Sequence, residues 1–201
     1  MATATATATA ATAERRATEG DRLLTAEEYF ALPPDGRKTE LVDGRIVEVC
    51  VPTAVHALVE KNITWHLENW CREHKTGRVL TGDGGVRTTR SPDSVRGADV
   101  QYLSFDRLPK GELPARGYPD AKPEVVFEVR SPNDSPRRMA DKAEEYLEAG
   151  VDAVVCVDPI AETATLHRVG AAAESLAPDD ELTIEDLLPG FAVRVAELFV
   201  E

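Results

Sequence analysis

The sequence predicts an α/β domain, and three stretches carry that prediction. Residues 123–157 read as strand, helix, strand, which calls for a right-handed crossover and a parallel strand pair. Residues 53–74 repeat apolar side chains at three- and four-residue steps, the spacing of a helix with one buried face. Residues 40–49 place apolar pairs on either side of Asp43-Gly44, the turn chemistry of a tight antiparallel hairpin.

Length and composition frame these elements. The chain has 201 residues, 42% of them hydrophobic, enough for one cored domain and too many for a disordered chain. Residues 1–20, largely alternating Ala and Thr, supply no core material and are expected to be a disordered tail before a domain over 21–201. No apolar run approaches the ~20 residues of a membrane span, and no secretory signal is read at the N-terminus. Cys50, Cys71 and Cys156 are far apart, which suggests neither a disulfide framework nor a thiolate zinc site; a reducing cytoplasm is expected. The net charge of −13 argues against tight nucleic-acid binding. The charge is uneven, however. Residues 72–142 carry 14 basic and 11 acidic side chains, whereas residues 143–201 carry 2 and 14, so a local positive face is compatible with an acidic chain.

Taken in order, Thr25 and Glu28 form a capping box for a short helix through Phe30, which Pro33-Pro34 ends. The hairpin follows, with Leu41-Val42 and Ile46-Val47 flanking its turn; Glu40 and Glu48, taken alone, read as solvated edge residues. The helix from about Thr53 to His74 has Val55, Leu58, Val59, Ile63, Leu67 and Trp70 as its apolar stripe. His56 near its start reads, by itself, as a surface histidine. No two histidines here have the four-residue spacing of a helical metal pair. Residues 77–89 suggest strand bent at Gly82, Gly84 and Gly85, without the Lys and Ser/Thr that would close a phosphate-binding loop. Residues 97–104 are the next strand, with Asp99 an acid in an apolar setting, and 104–122 are a loop. Val125–Val129 is a β-branched and aromatic strand interrupted by Glu128. Ser135 and Pro136 open the next helix, Met139, Ala143, Tyr146 and Leu147 form its stripe, and Gly150 ends it. Residues 151–158 are a fully buried strand, 164–169 an antiparallel neighbour, and Leu182 to Glu201 close the domain through strand-like Ile184 and residues 191–195.

Glu128 and Asp99 are the chemically informative residues. A carboxylate in a buried strand is costly unless it is paired, hydrogen-bonded or bound to a metal. Two readings stay open for Glu128: a site carboxylate, or half of a pair with Arg130, since residues two apart on a strand face the same way. Lys142, beside the apolar stripe of its helix, either snorkels to water or points across the strand end toward Glu128.

The order of these pieces resembles a known family. Glu40-Leu-Val-Asp-Gly, His56 opening a helix, Ala98-Asp99-Val, Glu128-Val-Arg-Ser-Pro, Lys142 with Tyr146, Gly150-Val and Val157-Asp-Pro together are similar to the Uma-two family of restriction endonucleases, a bacterial branch of the PD-(D/E)xK nuclease superfamily. The likeness spans about residues 24–200. It implies a restriction-endonuclease-like core with a mixed β-sheet flanked by helices, and a Mg²⁺ or Mn²⁺ ion held by Asp99 and Glu128. It also implies Lys142 as a catalytic residue that orients water or stabilises charge, DNA as the partner, and room for a homodimer. Glu40, Arg130 and His56 match auxiliary positions, Arg130 as a phosphate contact. The sequence departs from the superfamily where Ala98 precedes Asp99 and where Arg130 stands two residues after Glu128 in place of lysine. Arginine stays protonated and is a poor base, which leaves the lysine role to Lys142. The expected function is metal-dependent hydrolysis of phosphodiester bonds in DNA, with an inactive nuclease-fold binding or assembly module as the alternative.

Overall fold

The computed structural model describes residues 22–201, and the tail expected over 1–20 lies outside the described residues. Thr25 caps α1 (Ala26–Phe30) through the expected capping box. β1 (Thr39–Val42) and β2 (Arg45–Glu48) pair across Asp43 and Gly44, both with positive φ, as a primed hairpin turn requires. Thr53 caps α2 (Ala54–His74), which ends at Lys75 in the left-handed region. β3 (Gly77–Thr89) and β4 (Ser94–Ser104) form a long antiparallel ladder, with a bulge between Thr81 and Gly84 at the predicted glycine bend.

β5 (Val125–Val129), α3 (Pro136–Glu148) and β6 (Ala153–Asp158) are the expected crossover, and β5 and β6 pair in parallel. Ser135 caps α3 with Pro136 in its first turn. The helix stops in a Schellman motif: Gly150, at φ 99°, donates to Leu147 O at 3.1 Å and Val151 donates to Tyr146 O at 3.1 Å. β7 (Thr163–Arg168) and β8 (Glu174–Leu176) extend the sheet antiparallel. The C-terminal segment is shorter-stranded than the sequence suggests. β9 (Glu181–Thr183) and β10 (Ala192–Arg194) make a separate two-stranded sheet, and Val195–Phe199 is a 3₁₀ turn. The main sheet runs β2-β1-β4-β5-β6-β7-β8, with β3 also on β4, and β5–β6 is its one parallel pair among the described residues. This is the mixed sheet flanked by helices that the sequence predicts.

The two long helices cover different parts of the core. Val59, Ile63, Leu67 and Trp70 of α2 pack with Val125, Phe127 and Val129 of β5, with Val155 of β6 and with the C-terminal segment. Asn62 fastens that segment by donating to Leu198 O at 3.1 Å and Val200 O at 2.8 Å. Met139, Ala143 and Tyr146 of α3 pack against Val126, Val154 and Cys156. The buried stripe of α2 begins one residue later than predicted. Val55 is 54% exposed, and His56 takes the inward position at its N-terminal end. His56, Val59, Ile63, Leu67 and Trp70 follow three- and four-residue steps, whereas Val55 lies about 100° round the helix from His56.

One detail of the sheet creates the site. β4 keeps β3 along one edge, but its other edge is shared. Val95 pairs with Leu41 of β1, and Val100–Tyr102 pair with β5. Between these ladders, residues 96–99 have no strand partner on that side among the described residues. Backbone polar groups freed in this way must find other partners. Here the partners are side chains: Glu40 Oε1 accepts from Gly97 N at 3.0 Å, and Lys142 Nζ lies 3.5 Å from Gly97 O.

Candidate active site

Around this gap the structure gathers residues from five elements. Glu40 comes from β1 and is buried, not the solvated edge residue its hairpin position suggests. The reason is topological: β2 is the outer strand, and β1 is enclosed between β2 and β4. Besides Gly97, Glu40 binds Arg96 Nη1 at 3.0 Å and faces Lys142 Nζ at 3.4 Å. Arg96 in turn holds Glu145 of α3, with Nε at 2.9 Å and Nη2 at 2.5 Å from Oε2. Glu48, on the outer strand, is exposed as expected.

Glu128 is held entirely by α3. Lys142 Nζ donates to Oε2 at 2.8 Å and Tyr146 Oη donates to Oε1 at 2.8 Å. Lys142 therefore points across the strand end to Glu128 instead of snorkelling. The alternative Glu128–Arg130 pair does not form. β5 ends at Val129, so the two-residue alternation does not extend to Arg130. Arg130 instead donates from Nε to Asp134 O at 2.9 Å, and its Nη1 pairs with the Asp158 carboxylate at the end of β6. It ties the loop after β5 to the neighbouring strand.

Asp99 stands where β4 and β5 part. Its Oδ2 accepts from Val129 N at 2.7 Å, in the place of a ladder bond, and lies 3.3 Å from Nε2 of His56. His56 is 4% exposed, so the surface reading fails: the N-terminal turn of α2 lies against Asp99. Glu60, one helical turn further on, completes a group with His56 and Asp99 whose ligand atoms all lie within 4.8 Å of one another. Glu60 is not singled out by the sequence reasoning. Its signal was available in the four-residue step from His56, which puts both on one helix face.

The electrostatics follow from burial working against close pairing. Burial raises the carboxyl pKa of Glu128, and the Asp99 charge adds to this, while Lys142 and Tyr146 oppose it; the net shift is upward. Burial also acts to raise Glu40 and Asp99. Lys142 and Arg96 overcome it at Glu40, and His56 with the Val129 N–H overcomes it at Asp99, so both lie below the ordinary carboxylate value. Burial disfavours the Lys142 ammonium, but Glu128 and Glu40 outweigh that and hold it protonated. Burial lowers His56, and its hydrogen bond to Asp99 more than compensates.

This donor set fits a hard divalent cation. With Glu128 ionised, the carboxylates of Glu40, Asp99, Glu128 and Glu145 outnumber the cations Arg96 and Lys142 at the gap. Excess buried negative charge of this kind is what a bound cation offsets. Nδ1 of His56 is buried without a hydrogen-bond partner among the described residues, an imidazole nitrogen of the type that also ligates metals. Among the described residues each oxygen of Glu128 accepts one hydrogen bond, which leaves lone-pair capacity for a further ligand.

Comparison with known proteins follows the same direction. The Uma2 family, described as "Putative restriction endonuclease", matches residues 26–196. The fold is similar to the crystal structure of a putative nuclease belonging to DUF820 from Anabaena variabilis. The TM-score is 0.75 at 17% identity, covering 88% of this chain and 97% of that one. At that identity the likeness speaks for the fold alone. Comparison with curated proteins gives no match. No helix among the described residues is long and apolar enough to cross a membrane. With the family matched over most of its length, the chain belongs to the Uma2 family of putative restriction endonucleases.

Proposed function

We propose that this protein is a divalent-metal-dependent nuclease that hydrolyses phosphodiester bonds in DNA. The observation that carries the reading is the meeting of Asp99, Glu128 and Lys142, from three separate elements, at the unpaired stretch of β4. Asp99 and Glu128 are the carboxylates assigned to hold Mg²⁺ or Mn²⁺, with His56, Glu60 and Glu40 alongside. A divalent ion there would polarise the scissile phosphodiester and lower the pKa of a bound water.

The protein's own residues have distinct tasks. Glu128 must release its proton to act as a ligand, because burial favours its neutral form. Lys142 is kept as an ammonium by two carboxylates, so it donates: it orients the attacking water and stabilises charge developing on the phosphate. It is unsuited to act as a general base in this setting. Arg130 lies beside the loop after β5, and its contact with a phosphate would require it to turn from Asp158. Glu40 is the second carboxylate against Lys142, with Oε1 3.4 Å from Nζ.

A second reading, a nuclease-fold module without turnover, is favoured by one observation. Lys142 and Tyr146 each already bind one oxygen of Glu128. Nicking of supercoiled plasmid by the purified protein with Mg²⁺ or Mn²⁺, beside Glu128→Ala, separates the two. Metal-dependent nicking absent from the variant is expected. Equal nicking by both proteins would remove Glu128 from the site, and metal binding without nicking on any DNA substrate would favour the module.

A further inference from the structure

Tyr146 is a buried tyrosine whose hydroxyl has a specific polar target. Tyrosine hydroxyls inside a core need partners, and many find a backbone carbonyl. That of Tyr146 finds Glu128 Oε1 at 2.8 Å, on the oxygen that Lys142 does not take. The two donors come from the same face of α3, one helical turn apart, and grip the two oxygens of one carboxylate. The adjacent Glu145 holds Arg96, and Arg96 holds Glu40. The face of α3 formed by Lys142, Glu145 and Tyr146 thus fixes both buried glutamates of the site.

We propose that Tyr146 is a positioning residue that sets the orientation of the Glu128 carboxylate for metal binding. The inference rests on the reading of Glu128 as a metal ligand. With its hydroxyl in place, rotation of the carboxyl about its terminal torsion is restricted, because Oε1 and Oε2 are each tied to a different side chain. Without it, only the Lys142 contact remains and the carboxylate turns about Oε2. A donor that orients a metal-ligating group typically contributes 10- to 100-fold in metal affinity when removed.

The test is Mn²⁺ titration calorimetry on the intact protein and three variants: Tyr146→Phe, Glu128→Gln and Tyr102→Phe. Tyr102 is the control. It is equally buried and its hydroxyl is hydrogen-bonded to Thr76 Oγ1 at 2.8 Å, on the α2 side of the core. Tyr146→Phe is expected to weaken Mn²⁺ binding about 10-fold. Glu128→Gln should abolish binding, and Tyr102→Phe should leave affinity unchanged whatever it does to thermal stability. Wild-type affinity in Tyr146→Phe, with binding lost in Glu128→Gln, would overturn the positioning role and leave the metal site standing. Equal weakening in both tyrosine variants would also overturn it, by assigning the effect to general stability. Absence of Mn²⁺ binding in the wild type, or undiminished binding in Glu128→Gln, would overturn the metal assignment and the positioning role with it.

Discussion

On one face of β5, Val125, Phe127 and Val129 join α2 and the C-terminal segment in an apolar cluster. On the other, Val126 packs under α3, but Glu128 meets Lys142 and Tyr146. Two faces of a five-residue strand therefore do different work. The first stabilises the fold through burial and close packing. The second carries a carboxylate that burial disfavours, tolerated because α3 supplies a cation and a hydroxyl. The difference teaches where this domain can be altered: the apolar face sets stability, and the polar face carries the proposed chemistry.

The sharpest way to break that contrast is to exchange the losses. Phe127→Ala empties a fully buried position and should cost about 3–5 kcal/mol in urea unfolding, the range for large-to-small aromatic substitutions. Glu128→Gln should instead cost at least ~100-fold in metal-dependent cleavage, more than removal of an outer-shell partner, while far-UV circular dichroism stays native. Comparable unfolding by the two variants would erase the division between faces.

The pH dependence sharpens the comparison further. The folded-state pKa of Glu128 lies above its unfolded value, pushed toward about 8 by burial. The folded protein therefore holds a proton that the unfolded chain releases above about pH 4.3. Metal-free wild-type stability should carry a loss from this group as pH rises from that value toward about 8. Glu128→Gln lacks the group, so the stability difference between the two proteins should shift in favour of the variant over this window. Denaturant titrations at several pH values check it, and a pH-independent difference would contradict the sign.

Lys142→Met removes the cation shared by Glu128 and Glu40. Breaking a buried ion pair typically costs 3–5 kcal/mol. Lys142 is one-fifth exposed and Glu40 keeps Arg96, so about 2 kcal/mol is expected above about pH 8, where Glu128 is ionised, shrinking as it protonates at lower pH. The smallest effect should come from Arg130→Lys. Loss of the guanidinium contacts to Asp134 O and Asp158 is expected to cost about 1 kcal/mol and to leave Mn²⁺ affinity unchanged. A 10-fold loss of affinity there would place Arg130 in the proposed metal site.

Most of the fold was legible in the residues. The Thr25, Thr53 and Ser135 caps, the Asp43-Gly44 turn, the Gly150 stop and the 3.6-residue stripes of α2 and α3 act within a few residues of chain, so local rules find them. The short strands β8 to β10 were less legible, because strands of three residues are too brief to show alternation. Asp99, Glu128 and Lys142 stood out as acids in apolar strands and a lysine beside an apolar stripe. His56 and Glu40, read locally, belonged on the surface.

The sequence by itself determined the longer elements, their order, the parallel crossover and the candidate acids Asp99 and Glu128, since periodicity and capping are properties of neighbouring residues. Only the tertiary structure decided which charges meet. Glu40 and Lys142 are separated by 102 positions and Asp99 and Val129 by 30, and no local pattern encodes such pairings. They exist because β4 shares one edge between β1 and β5, leaving backbone groups that buried side chains must satisfy. Around that gap lie His56 and Glu40, with Glu60, Arg96, Glu145 and Tyr146 in contact with the acids or beside them.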